Sequence, residues 1–191
     1  MCFFRRRKKE LEYIERINSI IEGTEYQIAV FKIYYKAFGN VLLKLVAKGN
    51  KNIKIVTDRG DIFLNTKPIF SDEKIKASKD VIEKVFEILT LVINIIKTDD
   101  WRLTGQEDYL LFAKLKEVIP SDYLKILDNP EYFHEHCEFC MTKPEDNKEQ
   151  KFYCTLDNYR WICEECYNDF KEKFKFKNYN NNKRKKENDI L

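Results

Sequence analysis

Two Cys-x-x-Cys pairs constrain this chain more than any other feature: Cys137-Glu138-Phe139-Cys140 and Cys163-Glu164-Glu165-Cys166, with 22 residues between them. Two residues between thiolates permit a tight turn that aims both sulfurs at one ion at about 2.3 Å, and two such turns complete a tetrahedron. The spacing therefore predicts one structural zinc ion held by Cys137, Cys140, Cys163 and Cys166. Unrelated pairs of reduced core cysteines, or redox pairs, would use the same residues, but a module this small gains from a metal the stability its core cannot supply. A catalytic zinc keeps an open position beside three protein ligands, and four thiolates leave none. Two of the six cysteines lie outside the pairs. Cys154 falls in a strand-like run and reads as a small buried hydrophobe rather than a substitute ligand; Cys2 carries no signal. The two histidines, His134 and His136, stand at alternate positions before the first pair. They could supply a ligand or a base, but the preferred reading has them orienting the first knuckle from outside the metal shell, or simply exposed.

Between the pairs, Lys151 to Leu156 and Asn158 to Ile162 are short β-like runs around Leu156-Asp157-Asn158, the pattern of a hairpin. After the second pair, Tyr167, Phe170 and Phe174 recur at helical spacing. Turn, hairpin, and turn at the head of a helix is the order of a treble-clef or zinc-ribbon module, here residues 131–177, in which the helix N-terminus also favours thiolate charge. Some metal-dependent nucleases share that order, but they need a histidine base and further His or Asn ligands in the hairpin and helix. Here both histidines precede the first knuckle. Gly-x-x-x-x-Gly-Lys and Gly-x-Ser-x-Gly sequences are also missing, so the inventory points to a protein that is not an enzyme.

Upstream the pattern is α+β. Leu11, Ile14, Ile17 and Ile21 mark an amphipathic helix over 8–22 that stops at Gly23. Four β-branched and aromatic runs follow: Tyr26 to Tyr35, Val41 to Ala47, Ile53 to Thr57 and Ile62 to Asn65. Gly39-Asn40, Gly49-Asn50 and Asp58-Arg59-Gly60-Asp61 separate them, which predicts a four-stranded antiparallel meander. A long helix capped by Ser71, with Ile75, Ile82, Val85, Phe86, Leu89, Val92, Ile93 and Ile96, would cover the sheet. Its last third is apolar all round, so Leu89 to Ile96 is either helix buried between sheet and C-terminal module or a strand, and burial is preferred. Thr104-Gly105-Gln106-Glu107 reads as a capping box opening a second helix that stops before Pro120, and Ser121 caps a short one through Leu127. The expected organisation is an α+β domain over 1–98, a helical connector over 99–130, the zinc module over 131–177, and a flexible tail over 178–191.

Charge is unevenly spread. The net of +3 conceals five basic residues at 5–9 and four at 183–186, while residues 10–182 carry −4. From Asp128 to Phe170 there are eleven acids against Lys143, Lys148, Lys151 and Arg160. Such a module repels phosphate and suits a basic protein partner. Nucleic acid draws most of its affinity from cations, so its candidate contacts are Lys171, Lys173, Lys175, Lys177, Lys183, Arg184, Lys185 and Lys186, interleaved with Phe174, Phe176 and Tyr179. A solvated tail explains them equally well. Arg5 to Lys9 could touch anionic lipid, although a solvated helix start ranks above that. The first residues lack the apolar stretch of a signal peptide, and Ile88 to Ile96 is far shorter than the roughly 20 residues that cross a bilayer. With metal thiolates preferred over a disulfide framework, a soluble cytoplasmic protein is expected.

Asp100-Trp101-Arg102-Leu103-Thr104-Gly105-Gln106-Glu107-Asp108-Tyr109-Leu110, His134-x-His136-Cys137-Glu138-Phe139-Cys140 and Trp161-Ile162-Cys163-Glu164-Glu165-Cys166 resemble segments of a group of small bacterial proteins of unknown function. The resemblance covers roughly the second half, departs between Lys114 and Tyr132, and implies a zinc-binding C-terminal module joined to varied N-terminal parts. Residues 1–97 resemble no family. The resulting expectation is a non-enzymatic, zinc-stabilised protein-interaction factor, with a toxin-neutralising or other bacterial defence role suggested by analogy with small acidic binding proteins. The alternative is a nucleic-acid-binding regulator that uses residues 171–186.

Overall fold

The structure is a computed structural model that describes residues 2–37, 39–65, 67–69, 78–105 and 110–179. The chain divides into two compact units, with the break between Asp99 and Asp100. The first unit opens with helix α1 (Cys2–Ile21), followed by β1 (Gln27–Tyr34), β2 (Asn40–Val46), β3 (Asn52–Asp58), β4 (Asp61–Leu64) and β5 (Lys67–Ile69), and then helix α2 (Ser78–Ile96). The strands form one antiparallel sheet in sequence order. The fold is α+β, as the alternation of periods indicates. The meander gains a fifth strand that composition hides, because β5 is three residues long and carries Pro68. Proline lacks an amide donor and belongs at an edge, where β5 lies.

Turn chemistry sets the register. Arg59 and Gly60 both have positive φ, 48° and 92°, the signature of the two-residue turn whose twist matches a hairpin, and Asp58 faces Asp61 across it. Gly23, at φ 77°, ends α1 in the left-handed region, and the Thr24 hydroxyl donates to the Ile21 carbonyl.

Alternation then decides which face is core. Val41, Leu43 and Leu45 on β2, Ile53 and Ile55 on β3, and Ile62 and Leu64 on β4 are buried. So are Ile17 on α1 and Val81, Val85, Phe86, Leu89, Val92 and Ile93 on α2. Segment 89–96 is helix rather than strand. Ile88, Leu89, Val92, Ile93 and Ile95 are buried while Thr90 and Asn94 are exposed, so its apolar run is the wide buried face of a helix and not a β period. Phe86 is the joint between the two helices: the Tyr13 ring lies 5.8 Å away, and the Arg16 guanidinium sits 4.2 Å over it while pairing with Glu83 at 2.9 Å. The expected cap Ser71 and the contact residue Ile75 lie outside the described residues.

The second unit corrects the helical connector. Lys114–Val118 is strand β6, not helix. It is followed by the short helix α3 (Pro120–Leu124), strands β7 (Phe152–Thr155) and β8 (Trp161–Cys163), helix α4 (Glu164–Phe174) and the two-residue strand β9 (Lys177–Asn178). These strands make a sheet ordered β8-β7-β6-β9, antiparallel except for the parallel β6–β9 pair. The spacing of Leu110, Phe112, Ala113 and Leu115 mimics a helix. Instead, Phe112 turns the chain at φ 59° and its amide donates to the Phe174 carbonyl, after which Leu115 pairs with Thr155. Non-local pairing overrides local period here. Helix α3 begins at Pro120, with Ile119 rather than Ser121 in the capping position; proline suits that first turn because its missing amide would be unpaired anyway. Gln106 to Tyr109, and with them the capping box, lie outside the described residues. No described helix is long and apolar enough to cross a membrane.

Replacing Phe86 with Ala should cost about 3–5 kcal/mol, the usual cost of truncating a buried aromatic, measured by denaturant unfolding.

Candidate metal centre

The first knuckle is a tight turn closed by backbone. The Cys137 amide donates to the Thr142 carbonyl (2.8 Å) and the Met141 amide to the Cys137 carbonyl (3.0 Å), with Met141 at φ 63° completing the reversal. Phe139, between the two cysteines, is the plug: its ring meets Phe170 at 4.8 Å and Phe174 at 5.3 Å, both on α4. The second knuckle is the passage from β8 into α4, where Cys163 occupies the N-cap position and Cys166 lies in the first turn. Cys137 and Trp161 form an isolated bridge, and the Glu138 amide donates to the Trp161 carbonyl at 2.8 Å, which docks the first knuckle on β8. Glu138, only 8% exposed, would be a costly buried charge alone. Both its oxygens accept from Arg160 Nη1 at 3.1 Å.

Behind the knuckles stands an aromatic core around Trp161, which is fully buried. Tyr123, Phe133 and Phe152 surround its ring at 5.1, 5.3 and 6.3 Å, and its indole N–H donates to the Asn158 carbonyl. On the other side of the sheet's hairpin, Tyr153 stacks on Tyr167 of α4 at 3.6 Å. The hairpin and the helix head that carry the second pair are thus fixed by packing before any metal is considered.

The four sulfurs of Cys137, Cys140, Cys163 and Cys166 lie within 4.8 Å of one another. A tetrahedron with metal–sulfur bonds of about 2.3 Å has edges of about 3.8 Å, and the Cys140–Cys163 edge is 3.6 Å. Three of the cysteines are buried and Cys140 is half-buried. The donor set fits a structural metal site: four soft ligands in a closed shell, with no position left over. The Cys140 sulfur lies 3.0 Å from the Thr142 hydroxyl, and Arg102 Nη1 donates to the Cys166 sulfur at 3.6 Å. Between the thiols themselves, hydrogen bonds from Cys163 and Cys166 pull the Cys137 pKa down, while donation to Cys137 pushes those of Cys163 and Cys166 up.

Cys154 stands apart, fully buried, with its sulfur 3.8 Å from Asn158 Oδ1 and its pKa raised to about 11 by burial. His134 and His136 are both exposed and do not belong to the sulfur cluster. Among the candidate nucleic-acid contacts, Lys171 is engaged with Asn168 and the Tyr167 ring, and Lys175 with Glu172. Lys173 and Lys177 lie at the end of α4 and in β9, while Lys183, Arg184, Lys185 and Lys186 lie outside the described residues.

Sequence reasoning missed Arg102. Its side chain, 18% exposed, is clamped by Asp100 through Nε (3.1 Å) and Nη2 (2.9 Å) and by Asp169 through Nη1 (2.9 Å), and it lies 4.5 Å over the Phe170 ring. The same bonds hold the Asp100 carboxyl below the usual carboxylate range. The one local signal was Asp100 two residues ahead, whose side chain caps the single 3-10 turn Trp101–Leu103. Comparison with family models, curated proteins and solved structures returned no match.

Two outcomes follow. Cys163→Ser with Cys166→Ser should abolish metal binding and lower the melting temperature, with the near-ultraviolet circular dichroism of the packed Trp161 core persisting below it. Because a metal-free cluster retains protons that a bound metal must displace, metal uptake should release protons and its apparent affinity should rise with pH, as read by chelator competition across pH.

Proposed function

We propose that this protein is a binding factor and not a catalyst, its second unit stabilised by one zinc ion on Cys137, Cys140, Cys163 and Cys166. The observation that carries the reading is the convergence of four sulfurs, two on each of two knuckles, into a closed set with no ligand position to spare. Zinc is the preferred ion because four thiolates in tetrahedral array suit zinc or iron, and zinc brings no redox chemistry to a site built for shape. Such a cluster belongs in a reducing compartment, which favours the cytoplasm.

What the metal holds in place includes a presented side chain. Trp101 is 68% exposed, yet it sits on a turn whose neighbour Arg102 is clamped on three sides and whose Leu103 is buried. A large apolar ring on a rigid mount loses little entropy on burial, and tryptophan is enriched among the residues that dominate protein–protein affinity. The acid excess between Asp128 and Phe170 favours a basic protein as the partner. A toxin-neutralising protein of the kind the resemblance suggests would be one instance. The nucleic-acid reading has less support, since Lys171 in α4 is engaged with Asn168 and Lys175, just past the helix end, with Glu172.

Affinity purification of the tagged protein from its own host should recover a partner that chelator treatment releases. Trp101→Ala should weaken that partner's binding by about 2 kcal/mol or more, the range of a hot-spot residue, by calorimetry with the isolated pair, while elemental analysis still finds one zinc per chain. Iron in place of zinc, or a partner retained by the metal-free protein, would count against the proposal.

A further inference from the structure

We infer that Arg102 is an outer-sphere partner of the bound metal, a positioning residue that donates to the Cys166 thiolate and shields it from electrophiles. This rests on the zinc reading above. Four thiolates on a divalent ion leave a net charge of −2 in a cluster three of whose four cysteines are buried, and sulfurs so charged call for N–H donors. Arg102, whose charge Asp100 and Asp169 already share, still turns a charged N–H toward it, with Nη1 3.6 Å from the Cys166 sulfur, although the two residues are 64 positions apart.

The surroundings aim the guanidinium. Asp100 takes Nε and Nη2 in the two-pronged geometry that fixes the plane of the group, and its Oδ1 also accepts the Arg102 amide, so backbone and side chain are set by one carboxylate. Asp169 takes the other edge at 2.9 Å, one turn beyond Cys166 on α4, and Phe170 supports the face at 4.5 Å. Lysine could not satisfy this frame, because a point charge offers neither the fork nor the flat face. The frame also gives a physical role to the Asp100-Trp101-Arg102 segment, which otherwise has no evident connection to a cysteine module that begins well downstream. A thiolate bound to a metal keeps a lone pair that electrophiles attack; a charged N–H pointed at that sulfur occupies the lone pair and lowers its nucleophilicity.

The test uses the full-length, zinc-loaded protein and its Arg102→Met and Arg102→Lys variants, with each cysteine's iodoacetamide labelling followed by mass spectrometry. Cobalt-loaded samples report the sulfur-to-metal charge-transfer band. Labelling of Cys166 should quicken about ten-fold in Arg102→Met, the lower end of the effect of losing an outer-shell partner, with Cys137 little changed. The charge-transfer band should move to lower energy, and Arg102→Lys should fall between. Equal acceleration at all four cysteines would mean general loosening, and unchanged Cys166 labelling would mean no shielding; either overturns the inference. If Arg102→Met does not fold, Asp169→Asn, which loosens the aim but keeps the cation, must show the same Cys166-selective rise, or the inference fails. A wild-type chain that binds no zinc would instead sink the underlying reading, so the two failures are distinguishable.

Discussion

The backbone bridge between Cys137 and Trp161 joins two turns of chain that sequence keeps far apart. Each knuckle alone can aim two sulfurs, but a metal shell needs four, and only a fixed relation between β8 and the first turn supplies them. The amide of Glu138 on the Trp161 carbonyl, the paired Glu138 carboxylate and Arg160, and the Phe139 ring against Phe170 and Phe174 all serve that one juxtaposition. The sulfurs come last in this hierarchy: aromatic packing sets the hairpin and helix, the bridge sets the first knuckle on them, and the thiolates then meet. A cation bound there would reward an arrangement largely prepared, which lowers the ordering cost that a small metal-dependent module must otherwise meet.

The parts of this architecture that were legible beforehand are those encoded locally. Spacing of two between cysteines is a covalent fact, and it identified the four sulfurs that converge. Turn residues at Asp58 to Asp61 and Gly23 delimited β3, β4 and the end of α1, whose start at Cys2 lies six residues ahead of the expected one, because positive φ has few tolerant residues. What failed was non-local. Leu115 and its neighbours have helical spacing, and nothing near them announces that Thr155 and Asn178 will claim their backbone. The fifth strand was too short to show a period.

Arg102 illustrates the same limit at the site itself. An arginine between a tryptophan and a leucine has no local property that marks it as a neighbour of Cys166, since the relation exists only once α4 and the Trp101–Leu103 turn are packed. The histidines misdirect in the opposite sense: residues of a metal-binding type stand beside a metal-binding motif, and both end up exposed. Residue chemistry proposes ligands, and burial selects among them.

The β6–β9 pairing has a consequence for how the second unit can assemble. Knuckle, hairpin and helix are near neighbours along the chain and can find one another by closing modest loops, whereas β6 enters from upstream of the first cysteine and β9 from beyond α4, and they pair side by side in parallel. Closing that longer circuit is slower, since its entropy is lost before its contacts form. β6 and β9 therefore act as a late clasp, fastened onto a hairpin that has already taken shape, so the two halves of one sheet answer to different steps of folding.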